Sequence, residues 1–404
     1  MAQTAQKMVM QAGVGAVIWR SGPTKTLEHS NLKSILRKTT VIIFLPCAHK
    51  IAVEVRMKRR NFVLLGSGAC LLLGAFAFAF QPGGGYHLLR KVSLSAAPGG
   101  SEYFDYITFD ALGRRIFLSH GTEVKVLDAD TDKVVGSVTG LKRDHGIALV
   151  PELGRGFISD GDAGEVAVFD LKTLEVTGRI KTDKDSDSIL YDPVSKRIFC
   201  FNGEPHSASV IDPASGAVVT TLPLGGAPEQ GVADGKGMIY NNLEDKNEVI
   251  AIDTRALKIT ARWPVAPAGA PVSMAMDRDH RRLFIGARDP KMLVVMDADT
   301  GKIIGSPFPI AGRVDTNVFD PETKLAAAST GDGTIHIFHE DSPDKIRMVE
   351  TVTTQYGAKT MALDPKTHNL LVDTSDFDTP PAENGKQARP VAKPGTFRLL
   401  VYGR

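Results

Sequence analysis

The sequence predicts an all-β protein, a seven-bladed β-propeller with four-stranded blades, and three observations support this fold class. One sequence unit recurs seven times, and successive copies begin 40 to 44 residues apart. The 404 residues include 39 Gly and 23 Pro, a composition typical of short strands joined by turns. The segment before the first copy also resembles a strand that the last copy lacks. Repeats of this length are typical of propeller blades.

The repeated unit reads as an apolar residue and Asp, a turn, Arg or Lys with an apolar pair, a loop, and a second apolar strand that ends in Asp. Candidate strands such as Val124–Leu127 and Val166–Phe169 are too short for helices. Pairs such as Asp-Pro, Thr-Gly and Ser-Gly supply hairpin corners. Each repeat therefore predicts four strands, and one blade buries its faces only by stacking on others. The repeats start near residues 109, 149, 191, 233, 276, 319 and 363.

The two ends of the repeat region predict how the ring closes. The seventh repeat offers strands near 360–363, 369–374 and 397–401 and then ends without a fourth strand. Residues 88–94 precede the first repeat and resemble the fourth strands of other repeats. Pairing these two ends completes the last blade and removes its open edge. We therefore assign residues 81–404 to the propeller.

Residues 57–80 read as an export signal. Met57-Lys-Arg-Arg60 is basic, and the uncharged run 62–80 contains Ala77-Phe-Ala79, which is typical of a signal-peptidase site. We expect cleavage near Ala79 and a periplasmic or secreted protein. The Arg59-Arg60 pair resembles a twin-arginine signal, and the general secretory route stays open. If uncleaved, the apolar run is long enough to anchor the chain in a membrane.

Residues 1–56 precede this signal and show no sustained strand or helix period. Two interpretations stay open. Met57 is the true start, so that 1–56 is a non-native upstream extension, or 1–56 is a disordered extension.

Charge and cysteine content narrow the function. The chain carries a net charge of +2, but residues 81–404 hold 37 basic and 44 acidic residues, a net charge of −7. Such a body repels phosphate backbones, so we expect no nucleic-acid partner. Cys200 is the only cysteine in this region and lies in an apolar run, so we expect a buried hydrophobic residue and no disulfide. We expect a monomer.

A ring of polar residues is predicted at one mouth of the central channel. Counting five residues back from the end of each first strand gives Asp105, His145, Asp187, Glu229, Val272, Asp315 and Lys359. These side chains either bond loop N–H groups and channel water or contact a ligand. Oxygen-rich clusters suit Ca²⁺, so Asp187, Glu229 and Asp315 are candidate metal ligands.

Loops between the second and third strands of each blade open on the same face. Their polar residues are His120, Asp160, Asn202, His206, Asn242, Arg288, Asp332 and Asp376. Asn202, Asn242 and Arg288 join the ring as candidate ligand-binding residues. The Pro-rich insertion 376–395 is longer than its counterparts, and we expect either a lid or partner surface or a tolerated insertion.

Three segments resemble the YVTN-type, YncE-like family of bacterial β-propellers: 192–199, 294–302 and 364–371. Phe-Cys-Phe-Asn at 199–202 and Ile-Tyr-Asn-Asn at 239–242 stand where that family has Tyr-Val-Thr-Asn. The resemblance covers about residues 86–404. It implies a seven-bladed propeller and an exported binding or surface protein, usually without assigned chemistry.

Two functions follow as expectations. The first is a non-catalytic exported propeller that binds a small ligand, an envelope component or a protein partner on its loop-rich face. The alternative is a metal-dependent, lactonase-like hydrolase or lyase, in which a divalent cation polarises a carbonyl and His145 or Asp187 activates water. Fold analogy alone does not choose between them.

Overall fold

The structure is a computed structural model, and it forms two units, residues 1–84 and 85–404. It describes residues 18–20, 38–44, 50–56, 84–100, 102–379 and 390–404.

The first unit contains an antiparallel sheet of three strands, Ile18–Arg20, Lys38–Phe44 and Lys50–Arg56, in chain order. The two interpretations of residues 1–56, a non-native upstream extension or a disordered one, stay predictions. The run 39–44 is rich in β-branched residues, which favour strands without a clear alternation of polar and apolar positions. The predicted export signal, residues 57–80, lies outside the described residues. Within the described part of the chain, no helix has the length and apolarity that crossing a membrane requires.

The second unit is a β-propeller of seven four-stranded antiparallel blades, which confirms the predicted fold class. We number the blades 1 to 7 and letter their strands a to d. Strand a of each blade packs against strand a of the next, so these strands surround the channel. Blade 1 consists of Ile107–Asp110, Arg115–His120, Glu123–Asp128 and Val134–Thr139. Blade 2 consists of Asp144–Val150, Arg155–Asp160, Glu165–Asp170 and Val176–Lys181.

The next three blades follow the same plan. Blade 3 consists of Ser186–Asp192, Arg197–Asn202, Ser207–Asp212 and Ala217–Pro223. Blade 4 consists of Pro228–Ala233, Met238–Leu243, Glu248–Asp253 and Lys258–Pro264. Blade 5 consists of Pro271–Asp277, Arg282–Arg288, Lys291–Asp297 and Ile303–Pro309.

Blades 6 and 7 end the repeat. Blade 6 consists of Val314–Asp320, Leu325–Thr330, Thr334–Ser342 and Lys345–Thr353. Blade 7 consists of Met361–Asp364, Asn369–Thr374, Arg398–Gly403 and His87–Ser93. A short hairpin of Phe377–Asp378 and Val391–Ala392 leaves blade 7. Three 3₁₀ turns complete the described elements, Pro98–Gly100, Pro151–Leu153 and Glu244–Lys246.

The ring closes as the sequence predicts. His87–Ser93 pairs antiparallel with Arg398–Gly403, with Leu399 opposite Val92 and Leu400 opposite Lys91. The strand that opens the propeller is therefore strand d of the last blade. This pairing leaves no unpaired edge between the two ends of the repeat region.

The recurring aspartate at the end of strand a shapes the a–b corner. Asp110 accepts a hydrogen bond from the N–H of Gly113 at 2.8 Å, and Asp192 accepts one from Ser195 at 2.9 Å. A carboxylate two or three residues before a turn satisfies its N–H groups in this way. Blade 2 has Val150 at this position, and a 3₁₀ turn ending at Gly154, with φ 63°, makes the corner instead. The left-handed φ there favours glycine.

The hydrophobic core lies between blades. Seven clusters of buried side chains each combine residues from two neighbouring blades. At the closure, Leu118 and Leu127 of blade 1 pack with Leu371 and Leu399 of blade 7. Because each blade buries its faces only against its neighbours, the stack holds together as one ring.

We expect Leu399→Ala to lower the free energy of unfolding by about 2–5 kcal/mol, because it opens a cavity at the closure between blades 7 and 1. Leu399 is fully buried there. Urea unfolding followed by tryptophan fluorescence or circular dichroism measures the change. The control is Leu112→Ala, since Leu112 is 85% exposed. Equal stability of the two variants would contradict this account of the closure.

Candidate functional site

The structure places the predicted ring residues at equivalent positions of the seven blades. His145, Asp187, Glu229, Val272 and Asp315 are each the second residue of strand a. Asp105 and Lys359 each lie two residues before strand a of their blades.

In blades 2 to 6 a register shift between strands a and b falls at this position. In each case strand a has one more residue than strand b across the shift, so the ring residue sits at a β-bulge. A bulge breaks the alternation of side chains and re-aims one of them. The bulges therefore position the ring side chains of blades 2 to 6 on the channel.

Buried hydroxyl groups on strand b hold the backbone of the ring. Ser119 Oγ accepts a hydrogen bond from the N–H of Asp105 at 2.9 Å. Ser159 Oγ accepts one from Gly146 N at 2.9 Å and donates to the carbonyl of Asp187 in the next blade. Because these serines are fully buried, their hydrogen bonds fix both the bulge and the neighbouring blade.

Charged side chains from five blades form one continuous chain across the mouth. His145 Nδ1 lies 2.8 Å from Asp105 Oδ2, and Lys359 Nζ lies 3.2 Å from Asp105 Oδ1. Lys359 Nζ also lies 2.6 Å from Asp315 Oδ2, and Arg288 Nη2 lies 2.6 Å from Asp315 Oδ1. Basic and acidic side chains therefore alternate along the half of the mouth that runs from His145 to Arg288. Asp105 and Asp315 each face two cationic groups.

His145 lies between two carboxylates that favour its protonated form. Burial opposes its charge, but hydrogen bonds to Asp105 and Asp187 outweigh burial and raise the pKa of His145 to about 10. Its Nε2 atom is buried and has no hydrogen-bond partner in the described part of the chain. A Cβ at Gly161 would lie 2.9 Å from Nε2, so the backbone covers this atom and requires glycine there. This geometry gives no support to His145 as a general base, because it carries its proton and its second nitrogen is covered.

Asp187 and Glu229 occupy the other half of the mouth. Asp187 Oδ1 lies 3.3 Å from His145 Nδ1, and among the described residues neither Asp187 nor Glu229 forms an ion pair with Lys or Arg. Burial raises the pKa of Asp187. Burial and the nearby charge of Asp187 raise the pKa of Glu229 well above its usual range. Within the described residues, this half of the mouth therefore holds two carboxyl groups without a Lys or Arg ion-pair partner.

The predicted calcium ligands do not fit that ion. Asp315 is engaged by Lys359 and Arg288. The carboxylates and imidazole that do come together are Asp105, His145 and Asp187, whose ligand atoms lie within 4.8 Å of one another. Ca²⁺ takes about six to eight oxygen ligands, and this set includes a nitrogen that holds a proton. A calcium site built from Asp187, Glu229 and Asp315 is therefore not supported.

Most of the polar residues predicted in b–c loops lie instead at the end of strand b. His120, Asp160, Asn202 and Asn242 are fully buried there, and Arg288 is half-exposed. The prediction of loops is wrong at these five positions because the connecting turns are short and strand b continues to the turn. His206, Asp332 and Asp376 do lie in turns or loops.

Asn202 is unsuited to contact a ligand, because its amide bonds Ser186, Ser207 and Ser209. Asn242 is equally buried, and its amide has no hydrogen-bond partner among the described residues. His120 stacks on Phe397 with ring centroids 4.0 Å apart, and burial lowers its pKa. Cys200 is confirmed as a buried hydrophobic residue, and burial raises the pKa of its thiol to about 12.

The described ends of the insertion 376–395 are tied to the propeller. Asp376 forms an ion pair with Arg398 at 2.8 Å, and Gly395 N–H donates to Glu102 at 3.1 Å. Residues 380–389 lie outside the described residues, so a lid or partner surface stays a prediction.

Sequence analysis missed three residues of the mouth. Tyr103 O–H donates to Asp105 Oδ2 at 2.8 Å, and the guanidinium of Arg143 lies 4.7 Å from the centre of the Tyr103 ring. Burial and the ring carboxylates raise the pKa of Tyr106 well above its usual range. The only signal was their closeness in sequence to Asp105 and His145. Arg143 also lines a cleft of about 440 Å³ between the loops of blades 2 and 3.

Comparisons with known proteins show the fold alone. Solved structures that match number 1529 chains. One is a chain of the crystal structure titled "Crystal Structure of Mitotic Checkpoint Complex", with a TM-score of 0.64 and 12% identity; the match covers 80% of this chain and 94% of that chain. No protein-family model matches the sequence, and no curated protein matches it. The resemblance to the YVTN-type family therefore stays a prediction.

The raised pKa of His145 predicts a pH dependence of stability. The pKa is about 10 in the folded protein and 6.5 as the ordinary value, so its contribution is complete below pH 6.5 and is lost as pH rises through about 10. We expect His145→Gln to cost about 3–5 kcal/mol at neutral pH, because it leaves Asp105 and Asp187 buried with one partner fewer. The difference from wild type should shrink as pH approaches 10.

Urea unfolding of both proteins across this pH range measures the effect. His87→Gln, a change at an exposed histidine, is the control and should follow wild type. A constant difference between His145→Gln and wild type over this range would show that His145 is neutral in the folded protein.

Proposed function

We propose that this chain is an exported binding protein whose channel mouth recognises a small polar ligand that carries positive charge. A propeller fold suggests a binding or scaffold role in general. The finer proposal rests on one observation, which is that Asp187 and Glu229 face the mouth without a Lys or Arg partner in the described part of the chain.

A cationic group fits this half because it supplies the missing charge. Burial raises the pKa values of both carboxyl groups because it destabilises their charged forms. A bound ammonium or guanidinium group would stabilise those charged forms. Asp187 remains 27% exposed, so a ligand has access to it. An anionic ligand would add to the repulsion. It would have to bind instead at Lys359 and Arg288, which Asp105, Asp315 and Glu244 already engage.

The side chains on the opposite half of the mouth are held in place by ion pairs, which favours ligand binding. Its chain of His145, Asp105, Lys359, Asp315 and Arg288 is already paired before any ligand arrives. A pre-organised wall costs less conformational entropy on binding than loose side chains. The insertion 376–395 is proposed as a second contact for the ligand or for an envelope partner.

The metal-dependent hydrolase or lyase is the weaker candidate. Its single support is the closeness of Asp105, His145 and Asp187. The covered and protonated imidazole of His145 does not serve as a base, and the calcium ligands do not converge. We therefore assign no catalytic step to these residues.

Titration with small amines tests the proposed ligand class. We expect 1,4-diaminobutane to raise the melting temperature and to give saturable heat in calorimetry, whereas succinate should give neither. Glu229→Gln should weaken diamine binding at least about tenfold, since one lost ionic partner is worth more than about 1.4 kcal/mol. Affinity should rise with pH, because a cation binds the deprotonated form of Glu229 and the pKa of that group is raised.

Asp162→Asn is the matched control. Asp162 is an exposed carboxylate of the neighbouring cleft, and its loss should leave diamine binding unchanged. The proposal fails if succinate binds and the diamine does not, or if Glu229→Gln and Asp162→Asn weaken binding equally.

Export is tested by the N-terminus of the protein recovered from cells. Expression of the full reading frame should yield a mature chain that begins just after Ala79, because Ala77-Phe-Ala79 matches the small-residue cleavage pattern. Mass spectrometry of periplasmic and membrane fractions measures this start. Replacement of Arg59-Arg60 with Lys-Lys should block export if the twin-arginine route is used. A protein that retains residues 57–80 and is recovered in the membrane fraction would show that this segment is an anchor instead.

A further inference from the structure

A second group of ionisable side chains lies at the boundary of blades 5 and 6, among the a–b corners and away from the ring positions. Glu340 occupies a position of the repeat at which four other blades have an uncharged residue. Its N–H donates to the carbonyl of Lys324, the residue before strand b of the same blade. In blades 1, 2, 4 and 5 the same bond is made by uncharged residues, namely Ala129, Leu171, Thr254 and Ala298.

Glu340 is buried without a hydrogen-bond partner. Its side chain is 1% exposed, and neither carboxylate oxygen has a partner among the described residues. A buried carboxylate normally has its oxygens bonded, because an unmade hydrogen bond to a charged group is costly. Glu340 departs from this rule, and the polar groups that face its carboxylate are Asp277 and His280.

Two residues of blade 5 face the same place. His280 Nδ1 lies 2.5 Å from Asp277 Oδ2 and 3.5 Å from Glu340 Oε1. One ligand atom from each of Asp277, His280 and Glu340 lies within 4.8 Å of the others. Asp277 is as deeply buried as Glu340, whereas His280 is 38% exposed and opens the group to solvent.

Equivalent positions at other blade boundaries show what is missing. At two other boundaries, the aspartate at or just after the end of strand a pairs with an arginine that precedes strand b of the next blade. Arg281 pairs with Asp234 at 3.0 Å, and Arg114 pairs with Asp364 at 2.6 Å. At Asp277 the equivalent residue is Lys324, and among the described residues it forms no ion pair with Asp277 or Glu340. Compared with the boundaries of Asp234 and Asp364, this one therefore has an additional buried carboxylate, and its lysine forms no ion pair with either carboxylate among the described residues.

We propose that Asp277, His280 and Glu340 bind a divalent transition-metal cation of the zinc type and so clip blade 5 to blade 6. One imidazole nitrogen and two carboxylate oxygens are a mixed ligand set that suits Zn²⁺ or Mn²⁺, whereas Ca²⁺ and Mg²⁺ favour oxygen alone. The cation replaces the proton that His280 shares with Asp277 and supplies the charge that Lys324 does not.

Calorimetry and thermal unfolding with ZnCl₂ as the only added ligand test this site. Wild type should bind one Zn²⁺ and melt at a higher temperature, because a ligand that binds only the folded state stabilises it. Glu340→Gln and His280→Ala should each weaken binding more than about tenfold. His280 is partly exposed, so His280→Ala keeps the test valid if Glu340→Gln disturbs the corner.

Two matched controls locate the cation. His368→Gln removes a histidine that bonds Asp320 at the next blade boundary, and Asp187→Asn removes the exposed carboxylate of the mouth. Both should keep the wild-type response. The proposal is overturned if wild type shows no response to millimolar ZnCl₂. Binding that Asp187→Asn abolishes and Glu340→Gln keeps would also overturn it, because the cation would then lie at the mouth.

Discussion

Closure of the ring is the constraint on which the rest of the molecule depends. The pairing of His87–Ser93 with Arg398–Gly403 makes blade 7 complete, and only a complete blade 7 presents its inner strand to blade 1. Ion pairs of the described residues then cross this junction, among them Lys359 with Asp105 at the mouth and Arg114 with Asp364 at the a–b corners. The charge network of the mouth therefore exists only in the closed ring.

In blades 2 to 6, a local backbone feature positions the ring side chains. The bulge at the second residue of strand a aims a side chain at the channel, and in blades 2 and 6 a serine of strand b holds that bulge through buried hydrogen bonds. Ser159 bonds its own blade and the carbonyl of Asp187 in the next one. Small shifts between blades are thus resisted at the ring itself, which keeps the mouth residues in fixed relative positions.

The sequence predicted the fold and the ring positions well because both follow from the repeat. The ring residue and the aspartate at the end of its strand belong to one strand, so a constant offset of five residues finds it. Contacts between blades follow no such offset. Neither the pairing of Lys359 with Asp105 nor the approach of Glu340 to Asp277 is encoded in local spacing, because both depend on how separate blades dock. The prediction that Asn202 lies in a loop was wrong for a simpler reason, because strand b extends further than its apolar pattern indicates.

The repeat also provides an internal comparison that a non-repetitive fold lacks. Equivalent positions of seven blades share one backbone environment, so a residue that departs from its equivalents is unusual for reasons other than backbone geometry. At the corners, Arg114 pairs with Asp364 and Arg281 pairs with Asp234, whereas Asp277 pairs with a histidine of its own turn and not with Lys324. At the mouth, Lys359 neutralises Asp105 and Asp315, but no Lys or Arg of the described residues pairs with Asp187 or Glu229. A buried carboxylate without a Lys or Arg partner costs stability when it is ionised, and this cost is the physical basis of both proposed cation sites.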